Sequence, residues 1–252
     1  MDLSDKLVII PTYKEKENIG PIIDAMMALE GHFHLLVIDD GSPDGTADIV
    51  REKQEDYGAR IFLIEREKKL GLGTAYIYGF KWGLERDYQF FFEMDADFSH
   101  PPKDVLRLLE ACQKQGADVA VGSRYVDGGG VVNWPKNRLI LSKGASLYTR
   151  IITGMPVQDP TAGFLCYQRP VLEALDLDKV RFVGYAFQIG MKYLAYKAGF
   201  KIVEVPIQFV ERQFGVSKMH IGIIREAIVG VLRLRLSSVF RIRPVKSGGV
   251  KK

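Results

Sequence analysis

Two aspartates stand one residue apart at the end of an aromatic run: Asp95 and Asp97 in FFFEMDADFSHPP, residues 90–102. If the extended backbone of that run continues through them, residues i and i+2 share a face and both carboxylates can turn to one oxygen-ligated cation. Like charges that close repel, and Mg²⁺ or Mn²⁺ bridging a bound diphosphate relieves the repulsion. Polar or aromatic groups also follow other apolar runs, in PTYKE (11–15), DDGSPDG (39–45) and GSRY (122–125). Several sharper motifs fail. Asp40, Ser42, Asp44 and Gly45 imitate the opening of a calcium loop, but Arg51 stands where its bidentate glutamate belongs. GLGTAY (71–76) lacks the third glycine of a dinucleotide fingerprint and follows a charged loop rather than a strand. No P-loop occurs, and the four histidines show no metal-ligand spacing.

The elements that must position these groups are legible in the first half of the chain. KLVIIP (6–11), FHLLVID (33–39), RIFLIE (60–65), YQFFFEMD (88–95) and ADVAVGS (117–123) are apolar runs of strand length. Continuous apolar strands belong to a parallel sheet covered on both faces. Between them lie segments with apolar residues at three- and four-residue intervals, which predict helices and hence a doubly wound α/β start. In such a sheet ligands bind beyond the carboxyl ends of the strands, where the polar groups named above fall. The second half is less regular. YVDGGGVVNWPKNR (125–138) reads as a long mobile loop, followed by an amphipathic segment (137–154), TAGFLCYQRPVLEAL, a helix around 186–198 and strands in KIVEVPIQFVER separated at Pro206. The chain reads as one domain, 1–218, with an extension, 219–252.

Composition bounds the class. At 252 residues, 47% hydrophobic and 26% charged, the chain is long enough for a sizeable core and ordinary for a soluble globular domain. The acidic start, MDLSDKLVII, predicts no secretory leader and a cytoplasmic location. The longest membrane-span candidate, IGIIREAIVGVLRLRLSSVF, is interrupted by Arg225, Glu226, Arg233 and Arg235, so no span is expected. From Arg225 to Lys252 eight Lys or Arg face one acid, which suits an anionic membrane surface or a nucleic acid, or simply a solvated tail. Cys112 and Cys166 have no close-spaced partner and predict small buried thiols.

Six ordered blocks, PTYKEKENI, VIDDGSPDGT, REKKLGLGTAYIYGF, MDADFSHPP, GSRY and ERQFGVSK, resemble the dolichyl-phosphate mannosyltransferase (polyprenol monophosphomannose synthase) branch of the inverting family 2 glycosyltransferases, from about residue 6 to 220. The resemblance implies an α/β GT-A fold, a mostly parallel Rossmann-like sheet flanked by helices, with amphipathic helices at the C-terminus. It implies that Pro11, Tyr13, Glu15, Ile38 and Asp40 hold the nucleoside of GDP-mannose. By the same resemblance Asp95, Ala96 and Asp97 would form the DXD motif on Mg²⁺ or Mn²⁺, with Ser99 near it, where some relatives carry Gln. Arg212 and Lys218 match basic positions over the donor diphosphate, and Arg124, Arg138 and Ser142 match positions that face the acceptor phosphate.

The implied reaction is transfer of mannose to dolichyl or polyprenyl phosphate. A lipid monophosphate is already ionised at neutral pH, its second pKa being ~6, so no general base is assigned. Its task for the protein is positioning and partial neutralisation by Arg124, Arg138 and Ser142. Attack opposite the diphosphate gives a β-linked product. The same fold with UDP-glucose or another nucleotide sugar, or with a saccharide acceptor, remains the alternative. The expected setting is peripheral on a membrane surface, through residues 138–153 and a helix around 219–238 or through a small integral-membrane subunit; no nucleic acid is expected as a partner.

Overall fold

A computed structural model describes residues 4–180, 184–212, 230–232, 234 and 235. The chain runs β1 (Lys6–Thr12), α1 (Lys16–Met27), β2 (His34–Asp39), α2 (Thr46–Tyr57), β3 (Ile61–Glu65), α3 (Leu72–Leu84), β4 (Phe90–Glu93), α4 (Asp104–Lys114) and β5 (Val119–Ser123). It continues through β6 (Gly130–Val132), α5 (Lys136–Thr153), β7 (Leu165–Gln168), α6 (Arg169–Ala174), α7 (Gly184–Lys197), β8 (Ile202–Pro206) and β9 (Gln208–Val210). Seven strands form one sheet in the order β3-β2-β1-β4-β7-β5-β8. All its pairings are parallel except those of β7, which lies antiparallel between β4 and β5.

Alternation along β1 builds the two covered faces. Val8 and Ile10 turn to one side with Ile19, Ile22 and Met26 of α1 and Val105 and Leu108 of α4. Leu7 and Ile9 turn to the other with Tyr76 and Phe80 of α3 and Phe187 and Met191 of α7. All four strand residues are fully buried, and losing one such aliphatic side chain to alanine costs about 2–5 kcal/mol. Helix α3 lies unusually near the sheet. A Cβ at Gly79 or Gly83 would come within 2.8 Å of Ile9 and 2.5 Å of Phe91, so glycine is required by close approach there.

Chain order reverses about β1: β2 and β3 stack on one side, β4 and its neighbours on the other. The crevice beyond β1 and β4, where the polar segments after residues 12 and 93 emerge, is the ligand position such sheets favour.

One expectation for the second half is corrected. The segment 125–138 is not a mobile loop: it contains β6, pairs in parallel with β9 through Gly130↔Gln208, Val131↔Phe209 and Val132↔Val210, and enters α5 at Lys136. Its glycines serve proximity, since a Cβ at Gly129 would lie 2.6 Å from the Ser123 carbonyl oxygen. LCYQ, unassigned by periodicity, is the strand β7, buried up to Gln168 at its end. Pro206 does separate two strands, with β8 joining the main sheet beside β5 and β9 joining β6. The expected helix around 219–238 lies almost wholly outside the described residues. Cys112 and Cys166 are buried free thiols. Among the described residues no helix is long and apolar enough to cross a membrane.

Candidate active site

The extended backbone of β4 stops at Glu93, and the next residues curl into a turn. Phe98 takes a left-handed conformation, φ 58°, a strained state for a bulky residue that surrounding structure must hold. The curl lets the Ser99 amide donate to Asp97 Oδ1 at 3.1 Å and the Asp95 amide reach His100 Nδ1 at 3.5 Å. The His100 ring stacks on Phe164 at 4.9 Å, and burial drops its pKa to about 4, so the neutral ring accepts through Nδ1. Asp97 is buried while Asp95 is half-buried, so the two carboxylates emerge from a turn rather than from a continued strand. Arg212 Nη2 lies 2.8 Å from Asp97 Oδ2.

The ends of β1 and β2 are equally organised. Asp39 accepts from Thr12 Oγ1 at 2.8 Å and from the Ser42 amide and hydroxyl at 2.7 and 2.6 Å. Asp40 pairs with Arg66 and accepts from the amides of Leu70 and Gly71 at 3.2 and 3.3 Å, which ties the 66–71 loop to β2. Glu15 accepts from Asn18 Nδ2 at 2.9 Å, and its amide donates to Thr46 at 3.0 Å. The Tyr13 ring lies 4.7 Å from the Lys69 ammonium. Ile38 and Ala96 are buried.

A second cluster surrounds Trp134 and Phe209, whose rings meet edge-on at 5.3 Å. The Arg138 guanidinium lies 4.0 Å above Trp134 and pairs with Glu211. The Arg124 guanidinium lies 5.5 Å from each of the two rings. Arg124 donates from Nε and Nη2 to Asp159 at 2.7 Å each, and from Nη2 to Thr161 at 2.9 Å. Asp159 is fully buried; burial pushes its carboxyl up, but the Arg124 charge and hydrogen bonds outweigh that and hold it below the usual range. The Asp159 and Gln158 amides donate to Glu204 of β8 at 2.9 and 2.7 Å. Tyr125 donates to Ser142 at 2.6 Å. From there α5 carries an exposed apolar row, Ile140, Leu141, Leu147 and Ile151, with Ile140 and Ile151 72% and 71% exposed.

Beneath the aspartate turn lies a third, buried polar group. Glu93 is raised to about 8 by burial, and Gln188 donates to it. Lys192 is lowered to about 8, also by burial, and donates to the Ala162 carbonyl at 2.6 Å.

The family model described as Glycosyl transferase family 2 matches residues 7–176, more than half of the chain. The chain is a family 2 glycosyltransferase. A polyprenol monophosphomannose synthase of Mycolicibacterium smegmatis is 50% identical over 225 residues, 89% of this chain and 84% of that protein. An undecaprenyl-phosphate mannosyltransferase of Micrococcus luteus is 45% identical over 232 residues, 92% and 94% of the two chains. A solved glucosyl-3-phosphoglycerate synthase of Mycobacterium tuberculosis, in complex with Mn²⁺, uridine diphosphate and phosphoglyceric acid, superposes with a TM-score of 0.66 over 91% of this chain and 78% of that one, at 18% identity. That likeness establishes the GT-A fold of this glycosyltransferase.

In the family 2 enzyme the structure brings Asp97, Arg212, Arg138 and Arg124 to one rim around Trp134 and Phe209, with Ser142 joined through Tyr125. Pro11, Tyr13, Glu15, Ile38 and Asp40 cluster on the adjoining ends of β1 and β2. Lys218 lies outside the described residues. Trp134, Phe209, Asp159 and Glu211 were not singled out from the sequence. A tryptophan before proline and a buried acid in QDPTAG were the available signals, but Asp159 and Glu211 lie 35 and 73 positions from the arginines they hold.

Two carboxylates meet the chemistry of an oxygen-ligated cation that takes its other ligands from water and a diphosphate, and Asp97 already faces a positive group. No cluster of three His, Cys, Asp or Glu side chains that could hold a metal alone occurs among the described residues.

Proposed function

We propose that this glycosyltransferase moves mannose from GDP-mannose to a polyprenyl phosphate such as dolichyl phosphate, with inversion to a β-linked mannosyl phosphate. The observation that carries the reading is the placement of Arg138 and Ser142 at the start of α5, a helix that exposes four large apolar side chains, Ile140, Leu141, Leu147 and Ile151. A phosphate site opening onto apolar surface matches an acceptor with a charged head and a hydrocarbon tail. The relatives named for polyprenol and undecaprenyl phosphate support the same acceptor class.

Tyr13 and the ends of β1 and β2 would receive the nucleoside. Asp95 and Asp97 would hold Mg²⁺ or Mn²⁺, with Ser99 beside them. Such a cation supplies positive charge to a departing nucleoside diphosphate. Arg212, with Lys218, would add charge to the same leaving group, whose stabilisation is the usual dominant contribution in transfer reactions of this kind.

Arg138, Arg124 and Ser142 would orient the acceptor phosphate. Arg124 works through a shared charge, because Asp159 already neutralises much of it. A monophosphate is ionised at neutral pH and requires no proton acceptor. The commitment of Asp159 to Arg124 fits a site without a general base.

Residues 138–153 would rest on an anionic membrane surface, with Lys143 and Arg150 toward headgroups, alone or beside a small integral-membrane subunit. The experiment is a donor screen: labelled GDP-mannose, UDP-glucose and UDP-GlcNAc with a short polyprenyl phosphate, with and without EDTA. Label should enter the organic phase from GDP-mannose alone and only with divalent metal. Transfer from UDP-glucose, transfer in EDTA, or an α-linked product would each overturn the corresponding part.

A further inference from the structure

Glu211 and Arg212 are consecutive, yet they hold groups belonging to opposite substrates. Arg212 meets the buried Asp97 at 2.8 Å, and Glu211 meets Arg138 above Trp134. Their approach is fixed from behind. The Val210 amide donates to the Ser99 carbonyl at 3.2 Å, and Phe209 lies edge-on to both His100 and Trp134, at 5.4 and 5.3 Å. The two residues therefore bridge the aspartate turn and the start of α5.

We infer that Glu211 and Arg212 are paired internal substitutes for ligand charge, so that binding of the donor releases the acceptor arginine. The inference rests on the assignment of Asp97 to the donor side and Arg138 to the acceptor phosphate. A guanidinium stands beside Asp97 where a diphosphate-bound cation would be needed, and a carboxylate stands on Arg138 where an anionic phosphate would be needed.

Electrostatics links the two exchanges. Asp97 has a side-chain exposure of 6%, so its charge is costly to leave without a cation. Once a divalent ion neutralises it, Arg212 loses its partner and is attracted to the incoming diphosphate. The two residues share a peptide unit, so a backbone shift that carries Arg212 toward the diphosphate would carry Glu211 away from Arg138 with it. The Glu211 and Arg138 side chains are 29% and 26% exposed, which makes their ion pair weak enough to exchange. Glu211 is thus a positioning residue for Arg138: it keeps the guanidinium over the Trp134 ring while excluding phosphate until the donor is in place. A phosphate admitted before the donor would meet no sugar, so the arrangement imposes an order of binding.

The test uses the full chain and binding readouts. Titration calorimetry with a ten-carbon polyprenyl monophosphate, with Mn²⁺ present and with or without GDP, should give about fivefold or more tighter binding when GDP is present. Glu211→Gln should bind the lipid phosphate without GDP as tightly as the unaltered protein binds it with GDP. Arg212→Gln, titrated with Mn²⁺ alone and read by electron paramagnetic resonance, should bind the ion several-fold more tightly than the unaltered protein, because the competing cation is gone.

If the unaltered protein binds the lipid phosphate equally with and without GDP, or Glu211→Gln keeps the full GDP dependence, the coupling is wrong while the acceptor assignment stands. Unchanged or weaker Mn²⁺ binding by Arg212→Gln overturns the substitution at Asp97. Failure of the lipid phosphate to bind in any state overturns the acceptor assignment, and the inference with it.

Discussion

The two sides of the rim, the one proposed for the donor and the one proposed for the acceptor, are built differently. At the ends of β1, β2 and β4 stand acids, each with a partner close in sequence or on a neighbouring strand-end loop: Ser42 on Asp39, the Ser99 amide on Asp97, Asn18 on Glu15, and the Leu70 and Gly71 amides on Asp40. On the acceptor side the groups are arginines, held by partners distant in sequence, Arg124 by Asp159 and Arg138 by Glu211. Aromatic rings from Trp134 and Phe209 fill the space between them. Acids at strand ends can be fixed by nearby amides. A guanidinium on a long side chain needs a carboxylate and a flat apolar surface to lose its rotational freedom, and these come from wherever the fold supplies them.

The comparison predicts that damage on the donor side falls on turnover and damage on the acceptor side falls first on structure or acceptor affinity. The largest effect is expected for Asp97→Asn: a loss of about 10³-fold in kcat, of the size seen when a charge-stabilising group is removed, with Tm nearly unchanged. Steady-state kinetics beside a melting curve checks both. A Tm loss matching the activity loss would break the contrast.

Next comes Asp159→Ala. It strands the Arg124 guanidinium, which is 8% exposed, and should cost about 3 kcal/mol and therefore roughly 6–12 °C in Tm for a chain of this size. Thermal unfolding of Asp159→Ala and Arg124→Ala,Asp159→Ala together sharpens the point, because removing both charges should recover part of the loss.

Trp134→Ala should raise KM for the lipid phosphate about tenfold while leaving KM for the nucleotide sugar within about twofold, since it removes the ring under Arg138. Equal changes in both constants would show that the two sides are not separable.

The smallest effect concerns stability against pH. Glu93 has its pKa raised by burial from 4.5 to about 8, so between those values the folded protein keeps a proton the unfolded chain has lost, and stability falls as pH rises. His100 works in the opposite sense, since burial lowers it from 6.5 to about 4; stability rises with pH across that window. The two offset one another from 4.5 to 6.5, and Lys192, lowered to about 8, opposes Glu93 from near that value upward, which leaves Glu93 dominant from pH 6.5 to just short of 8. Denaturant unfolding in EDTA should show a decline on the order of 1 kcal/mol per pH unit there. Glu93→Gln should flatten it, and a slope unchanged in that variant would mean that Glu93 is ionised throughout.

Much of the donor side was legible in advance. LVII of β1, LLVI of β2 and FFF of β4 are strands buried on both faces, and continuous apolar runs of that length announce themselves without knowledge of their neighbours. The polar groups after them then had to share one rim. The curl at Asp95–Asp97 was less accessible, because it depends on Phe98 being held left-handed by what surrounds it. On the proposed acceptor side, spacing alone showed an arginine-bearing amphipathic helix, and Arg124, Arg138 and Ser142 came only through the resemblance. FLCYQ carried no periodicity that separates a strand from a helix, and the glycines of 128–130 looked like flexibility when they permit close contact with Ser123 and β9.

By itself, then, the sequence determined the parallel α/β core, the carboxylate pair and the amphipathic face of α5, because each follows from local spacing and side-chain chemistry. The tertiary structure alone decided that Asp159 holds Arg124, that Glu211 holds Arg138, that β7 runs antiparallel inside the sheet and that Arg212 reaches Asp97. Those pairings join residues tens of positions or more apart, and an ion pair leaves no periodic trace in the chain that makes it.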